Sequence, residues 1–421
     1  MDTTKTYRNW ENYIFPMIII AILFSVLGFA VGINAFFVPF VKAAFHISTA
    51  KSYLVTTATF SAFVLFGMPS GKILIKAGYK RSMFIAFLLM ALGMFFIVPA
   101  AKWISFPVFL LALFINGMGQ TLLNTTVNPY VTFLGSERSA AQRISIMGIC
   151  NKLSFGFAPV VLAIFIDTVN VQLNDAIVPF YVITSILVLL GVLSLKSPLP
   201  ELKAHGEEEY EIDNTSGSTN LKTSVFQFPH LLLGALGIFF YVGVEVIALV
   251  SINDFATEMG LPSPEQYVGY TSGAMVVGYL LGVFLIPKFI SQCKAFKICA
   301  LTGIFSAFLI VTLPIGAAIY FVALLGLANS LIWPAIWPLA LADLGKFTKA
   351  GSSLLVMGIA GGGLLPLMLG FLKDLSSYQQ AYWLLLPIYL YFLFYAIKGH
   401  KIRINFEKAG ADSKDLLKQN L

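Results

Sequence analysis

The chain has 421 residues, of which 58% are hydrophobic and 11% are charged, and its formal net charge is +7. Soluble domains carry roughly 25% charged residues, so the composition excludes a soluble globular protein, a secreted disulfide scaffold and a disordered chain. The positive charge is not gathered into a basic, aromatic-interleaved patch, which excludes a nucleic-acid-binding domain. A membrane helix needs about 20 mostly apolar residues, and the apolar residues suffice for about twelve such helices.

Charge-poor segments follow one another along the chain. The first such segment follows the polar residues 1–12, and no small-residue cleavage site comes after it. The pattern therefore predicts a transmembrane span that stays in the protein rather than a signal peptide that is removed. The predicted spans are residues 13–38, 52–75, 82–101, 104–134, 143–166, 178–195, 229–253, 267–287, 297–315, 317–342, 352–372 and 379–397.

A charged, Ser- and Thr-rich segment separates the sixth predicted span from the seventh, and its composition is typical of a solvated linker. The sequence therefore predicts an N-terminal six-helix bundle (1–195), a cytoplasmic linker (196–228), a C-terminal six-helix bundle (229–399) and a cytoplasmic tail (400–421). With the N-terminus inside, 22 Lys and Arg residues lie on the cytoplasmic side and 4 on the other. This asymmetry follows the positive-inside rule. Lys152 is counted on neither side, because it lies within a predicted span.

The two halves resemble each other. In the fourth span Asn124 is followed five residues later by Pro129, and in the tenth Asn329 is followed five residues later by Pro334. Two further short segments match in the same order. A duplicated six-helix unit is the parallel-repeat plan of the major facilitator transporters, whose substrate site lies between the halves. The expected fold class is all-α integral membrane, with twelve transmembrane helices in two pseudo-symmetric six-helix halves.

The segment Gly71–Arg81 resembles the major facilitator loop signature between the second and third spans. The matching residues are Gly71, Gly78, Lys80 and Arg81, but Ile75 stands where the signature has an acidic residue. The resemblance supports the superfamily without a charge-paired gate. The alternative is a basic turn that only sets topology.

Four amides in the fourth span, Asn116, Gln120, Asn124 and Asn128, recur every four residues and so share one helix face. A lipid-facing polar stripe would be costly. Amides both donate and accept hydrogen bonds, so the stripe predicts the lining of a path for a hydroxyl-bearing substrate. The alternative is hydrogen bonding between packed helices.

The tenth span has Asn329, Trp333 and Trp337 at the same spacing. Indole faces can cover the apolar faces of a sugar ring while the amide binds its hydroxyls. Pro334 and Pro338 lie beside the tryptophans and are expected to weaken the helical hydrogen bonding. The alternative role of these side chains is core packing.

Several segments together resemble the fucose–galactose–glucose:cation symporter family, and the hexose-transporting branch most of all. They are NPYVTFLG (128–135), QRISIMGICNK (142–152), FFYVGVE (239–245), GLANSLIWPAIWPLAL (326–341) and GSSLLVMGIAGGG (351–363). The resemblance implies a twelve-helix major facilitator bundle, and it places Asn34 and Asn151 at polar positions near the sugar. The family's proton-coupling carboxylates fall at Ala35 and Asn124, so both are absent.

Two charges could replace those carboxylates. Lys152 lies nine residues beyond Arg143, and Glu245 lies nine residues before Asp254. Each is therefore about 13 Å from a membrane face. An unpaired charge there is costly, so an ion pair or a shifted pKa is expected. The pair could couple transport to a proton or Na⁺, or lock the halves together, or Lys152 could stand in permanently for a cation.

The sequence thus favours a secondary active transporter that imports a monosaccharide by cation-coupled alternating access. Alternatives are an uncoupled sugar uniporter and an exporter of amphipathic compounds, and a membrane sensor or an intramembrane enzyme is least favoured. No cofactor or metal is expected apart from a coupling proton or Na⁺, and Cys150, Cys293 and Cys299 are expected to be reduced. The expected partners are the sugar and the bilayer of the inner membrane, with a functional monomer and no nucleic acid. The predicted substrate-binding residues are Asn34, Gln120, Asn124, Asn128, Asn151, Asn329, Trp333 and Trp337, and the predicted coupling residues are Glu245 and Lys152.

Overall fold

The structure, a computed structural model, describes residues 11–47, 51, 54–166, 172–200 and 224–402. In these residues the chain is helical and has no strand. Most of the predicted linker and tail, 201–223 and 403–421, lies outside the described residues.

The helices of the N-terminal half are Glu11–Ala44, Leu54–Leu65, Gly67–Lys102, Phe106–Phe133, Ala140–Phe165 and Ile177–Lys196. The main helices of the C-terminal half are Pro229–Glu258, Tyr267–Leu285, Gln292–Thr312, Ile315–Ser330, Ile332–Leu341, Thr348–Met357, Gly361–Leu375 and Leu385–Ile397. Eleven helical stretches are long and apolar enough to cross a membrane, and Leu54–Leu65 is a shorter apolar helix.

The second and third spans meet within Gly67–Lys102. This stretch has 36 residues, about 54 Å if straight, which exceeds a hydrocarbon core of about 30 Å. Gly78 has φ 73° and interrupts it, in a backbone region that favours glycine because it has no Cβ. Leu54–Leu65 therefore continues to the residues before Gly78 as the second span, and the third span begins after it. The predicted total of twelve spans is confirmed.

The tenth span is divided at Leu331 into Ile315–Ser330 and Ile332–Leu341. The cause is local, because Pro334 has no N–H to offer the carbonyl of Ser330 and its ring crowds that carbonyl. The predicted weakening of the helix is thus present, about one turn before Pro334. Trp333 and Trp337 lie on the second of the two helices.

Close helix packing in each half depends on small residues, which let membrane helices approach. A Cβ at Gly28 on the first span would collide with the backbone of Asn151 on the fifth. A Cβ at Gly93 on the third span would collide with the backbone of Asn116 on the fourth. These contacts fix the depth at which the polar residues of spans four and five sit.

The halves pack against each other at one end of the bundle, which we call the closed end. There the fifth span meets the eighth, with Gln142 Nε2 donating to the Val283 carbonyl at 2.7 Å. One and a half turns further along the fifth span, a Cβ at Gly148 would lie 2.6 Å from Tyr279 Cε1. The bulk of the tyrosine ring therefore fills the space that the glycine leaves.

The second and eleventh spans meet at the same end, since the 2–3, 4–5, 8–9 and 10–11 connections all lie on one side of the bundle. A Cβ at Gly71 would lie 2.6 Å from Ser353 Oγ, and one at Gly67 would collide with Met357.

Beyond Lys152 the packing of the fifth span changes. Among the described residues no neighbouring atom lies within 4 Å of where a Cβ on Gly156 would be.

Candidate functional site

An ion pair joins the two halves, one turn beyond Gly148 on the fifth span. Lys152 Nζ on the fifth span lies 2.8 Å from Glu245 Oε1 on the seventh, and the side chains are 16% and 11% exposed. The expected pairing of these two charges is present. Because a buried charge without its partner is costly, each residue restricts where the other half can move.

Two tyrosines extend this contact. The Tyr241 hydroxyl, one turn before Glu245, donates to Glu245 Oε1 at 2.8 Å. Tyr279 on the eighth span is a neighbour of Tyr241. Both tyrosines are buried. The carboxylate is therefore held by two donors on the same oxygen, with a second tyrosine behind the first.

The tenth span brings an aromatic surface to this point. The Trp333 ring is partly exposed, and its centroid lies 5.6 Å from that of Tyr241. Trp337 follows at 5.4 Å from Trp333, but it is fully buried, and its Nε1 has no partner among the described residues. We call Lys152, Glu245, Tyr241, Tyr279 and Trp333 the central cluster.

Asn329, the third member of the tenth-span stripe, is fully buried. Its Nδ2 lies 3.5 Å from the Val244 carbonyl, and its Oδ1 accepts from the Tyr389 hydroxyl at 2.7 Å. Both ends of the amide thus bind other spans of the C-terminal half. In this conformation Asn329 is part of the packed core, which is the alternative role named for the tenth-span side chains. Its contact with sugar stays a prediction.

The fourth-span amides do lie along one face, but they bind each other. Gln120 Nε2 donates to Asn116 Oδ1 at 2.6 Å, and Asn116 Nδ2 donates to the Met90 carbonyl at 3.2 Å. Asn128 Nδ2 donates to the Asn124 carbonyl at 3.0 Å. Only Asn124 of the four is partly exposed, since the other three are buried. Asn116 therefore connects the third and fourth spans, and Asn124 is the stripe's accessible amide.

The two asparagines that the family resemblance indicated are also in contact with protein groups. Asn34 Oδ1 accepts from Thr59 Oγ1 at 3.1 Å, and Asn34 is buried. Asn151 Nδ2 donates to the Phe24 carbonyl at 3.1 Å. Asn151 is partly exposed and directly precedes Lys152 of the central cluster.

Tyr241 and Tyr279 were not identified from the sequence. Tyr241 could have been, because its spacing of four residues from Glu245 places both on one helix face. Tyr279 lies on another span, and no local pattern indicates its contact. The described residues contain no group of three potential metal ligands, and all three cysteines are free.

The family model of the Major Facilitator Superfamily matches residues 19–365. The chain belongs to this superfamily. A curated relative, the glucose/galactose transporter of Brucella abortus, is 31% identical over 402 residues, which cover 93% of this chain and 95% of the relative. The L-fucose-proton symporter of Escherichia coli is 27% identical over 413 residues, covering 89% and 92%.

A solved structure shares the fold. The crystal structure of the superfamily transporter FucP in the outward conformation has a TM-score of 0.78, at 23% identity, and the match covers 91% of this chain and 98% of FucP. The predicted fold class of twelve transmembrane helices in two six-helix halves is confirmed. This superfamily member is a multi-pass membrane protein.

Proposed function

We propose that this protein is a secondary active transporter that imports a monosaccharide, a hexose such as glucose or galactose or a related sugar, by cation-coupled alternating access. The observation that carries the proposal is the buried Lys152–Glu245 ion pair between the halves. The names of the relatives support a sugar as substrate. In this proposal the protein works as a monomer in the inner membrane, with both termini in the cytoplasm.

The sugar site is proposed beside the central cluster. Trp333 offers an indole face, and Asn124 and Asn151 offer amides that are partly exposed. This combination suits a sugar, whose ring has apolar faces and a rim of hydroxyls. Gln120, Asn128, Asn34, Asn329 and Trp337 are buried in this conformation. In this proposal they contact the sugar after the halves rearrange. In the present conformation they hold the partly exposed residues in place.

Glu245 is proposed as the coupling group, with Lys152 as its partner. Ala35 and Asn124 occupy the positions where the resemblance expects carboxylates, whereas Glu245 is the buried carboxylate among the described residues. A proton or Na⁺ that binds Glu245 would compete with Lys152 for the same oxygen. Occupation by the cation would then loosen the link between the halves and permit them to rock.

Uptake by purified protein in proteoliposomes tests this function. A panel of labelled monosaccharides is offered while a Na⁺ gradient and a pH gradient are imposed separately. Accumulation above the external concentration with one of the gradients supports the proposal and identifies the cation. Equilibration without accumulation indicates the uncoupled uniporter. Transport of lipophilic cations without sugar uptake indicates an exporter and refutes the proposal.

A further inference from the structure

The segment that joins the second and third spans carries cations and no carboxylate. Its basic residues are Lys72, Lys76, Lys80 and Arg81, and Ile75 stands where the superfamily signature has its acidic residue. Ile75 is 52% exposed. This segment therefore offers no carboxylate to a cation of the other half, although the two halves pack against each other here.

Lys349 on the eleventh span approaches this segment from the C-terminal half. Its carbonyl oxygen lies 3.6 Å from where a Cβ on Gly71 would be, so the two backbones are already close. Lys349 Nζ lies 6.0 Å from the centroid of the Tyr79 ring, at the edge of the cation–π range of about 6 Å. Tyr79 is only 2% exposed. An aromatic ring of one half thus faces a cation of the other.

The N-terminal half holds the Tyr79 ring in place. The Tyr130 ring on the fourth span packs against it edge to face, with centroids 5.3 Å apart and an interplanar angle of 76°. Tyr130 is fully buried, and its hydroxyl donates to the Pro200 carbonyl at 2.8 Å. Because the ring is packed from behind, it cannot follow Lys349 when the halves separate.

We propose that the Tyr79 ring takes the place of the missing carboxylate and, by binding Lys349 across the halves, acts as a latch that holds the closed end shut. Its role in the transport cycle rests on the function proposed above. A ring has no net charge, so its separation from Lys349 leaves no unpaired carboxylate behind, which would be costly in a buried site. The latch can therefore open and close in every cycle.

The rate at which a buried thiol is labelled measures opening of the closed end. Ser353 is 1% exposed, and its Oγ lies 2.6 Å from where a Cβ on Gly71 would be, so Ser353→Cys serves as the reporter. It is labelled with a small maleimide in detergent without sugar, and protein with Ser353 intact gives the background of the native cysteines. In the reporter background we expect Lys349→Met to raise the labelling rate roughly fivefold, the scale of one lost cation–π contact. Lys349→Arg keeps a cation over the ring and should label at the unmodified rate.

Two matched variants separate the latch from a general effect of charge or of the tyrosine hydroxyl. Lys288 Nζ lies 5.2 Å from the centroid of the Phe289 ring, a contact within one half, so Lys288→Met removes the same charge and should leave labelling unchanged. Tyr79→Phe keeps the ring and should also leave labelling unchanged, whereas Tyr79→Leu should raise it as Lys349→Met does.

The double variant Lys349→Met with Tyr79→Leu shows whether the two residues act on each other. If they form one contact, the double variant should label little faster than either single variant. Two effects that multiply would show that each residue acts through another partner, and they would overturn the inference. A rise with Tyr79→Phe as large as with Tyr79→Leu would also overturn it, because the hydroxyl and not the ring would then be responsible.

Lys349→Met and Lys349→Arg decide the question even if Tyr79→Leu does not fold. Unchanged labelling in Lys349→Met, or equal rises in both lysine variants, would overturn the latch. Because labelling needs no transport, the two proposals can fail separately. If the wild type carries sugar but Lys349→Met labels at the unmodified rate, the latch fails and the proposed function stands. If labelling rises as expected but the wild type carries no sugar, the latch stands and the proposed function fails.

Discussion

Glu245→Gln is the perturbation that bears most directly on the proposed mechanism. The glutamine keeps the shape of the side chain and can still accept from the Tyr241 hydroxyl, but it cannot take up a proton or offer a full negative charge to Na⁺. Because accumulation requires a group that exchanges its cation between the two states, we expect this variant to lose gradient-driven accumulation. Sugar counterflow should remain largely intact.

The structure also sets the expected cost in stability. The variant leaves Lys152 without its partner, and removing one member of a buried pair costs about 3–5 kcal/mol. The Lys152 side chain is 16% exposed, so water can relieve part of this cost, and we expect the lower end of the range. Thermal unfolding of the purified variant in detergent, measured beside counterflow in proteoliposomes, separates the loss of stability from the loss of coupling.

The double variant Lys152→Met with Glu245→Gln distinguishes coupling from a structural lock. Both charges are then absent, so the stability lost in the single variant should return. Under the coupling mechanism the protein should fold well but only equilibrate sugar. Restored folding together with restored accumulation would refute the coupling role of Glu245. A parallel fall of stability and counterflow in Glu245→Gln, recovered together in the double variant, would identify the pair as a lock.

Three further substitutions test the sugar site and the closed end. Trp333→Ala should weaken sugar binding by about 1–3 kcal/mol, the range for a lost aromatic contact at a binding site; unchanged affinity in titrations of the folded variant would assign Trp333 to packing. Asn124→Leu should abolish detectable sugar binding, because a buried sugar hydroxyl would lose its partner; retained binding would remove the fourth-span stripe from the site. Gly71→Ala places a Cβ 2.6 Å from Ser353 Oγ, and since overpacking costs about 1–3 kcal/mol it should shift the protein away from packing at the closed end. Labelling of cysteines introduced at that end should rise in Gly71→Ala but not in Gly370→Ala, where no described atom lies within 4 Å of the added Cβ; equal labelling would contradict the closed-end assignment.

Local properties of the sequence determined much of the architecture. A span is an apolar run of sufficient length, so the spans could be located without knowledge of their neighbours. Pro334 divides the tenth span through its own missing N–H and its ring, and the four-residue spacing of the fourth-span amides is enough to place them on one face. The depth of Lys152 and Glu245 followed from the helical rise, and it led to the ion pair that the structure contains.

The tertiary structure alone decided which polar groups remain accessible. Asn124 and Asn128 belong to one stripe, yet the first is partly exposed and the second is buried. Asn329 is paired with Tyr389, a partner on another span, and the Tyr279 ring lies against Gly148 only because the eighth span packs on the fifth. Such contacts depend on how distant helices cross and on which end of the bundle is packed. The periodicity of a single helix carries no information about either, because it specifies a face and not the neighbour that covers it.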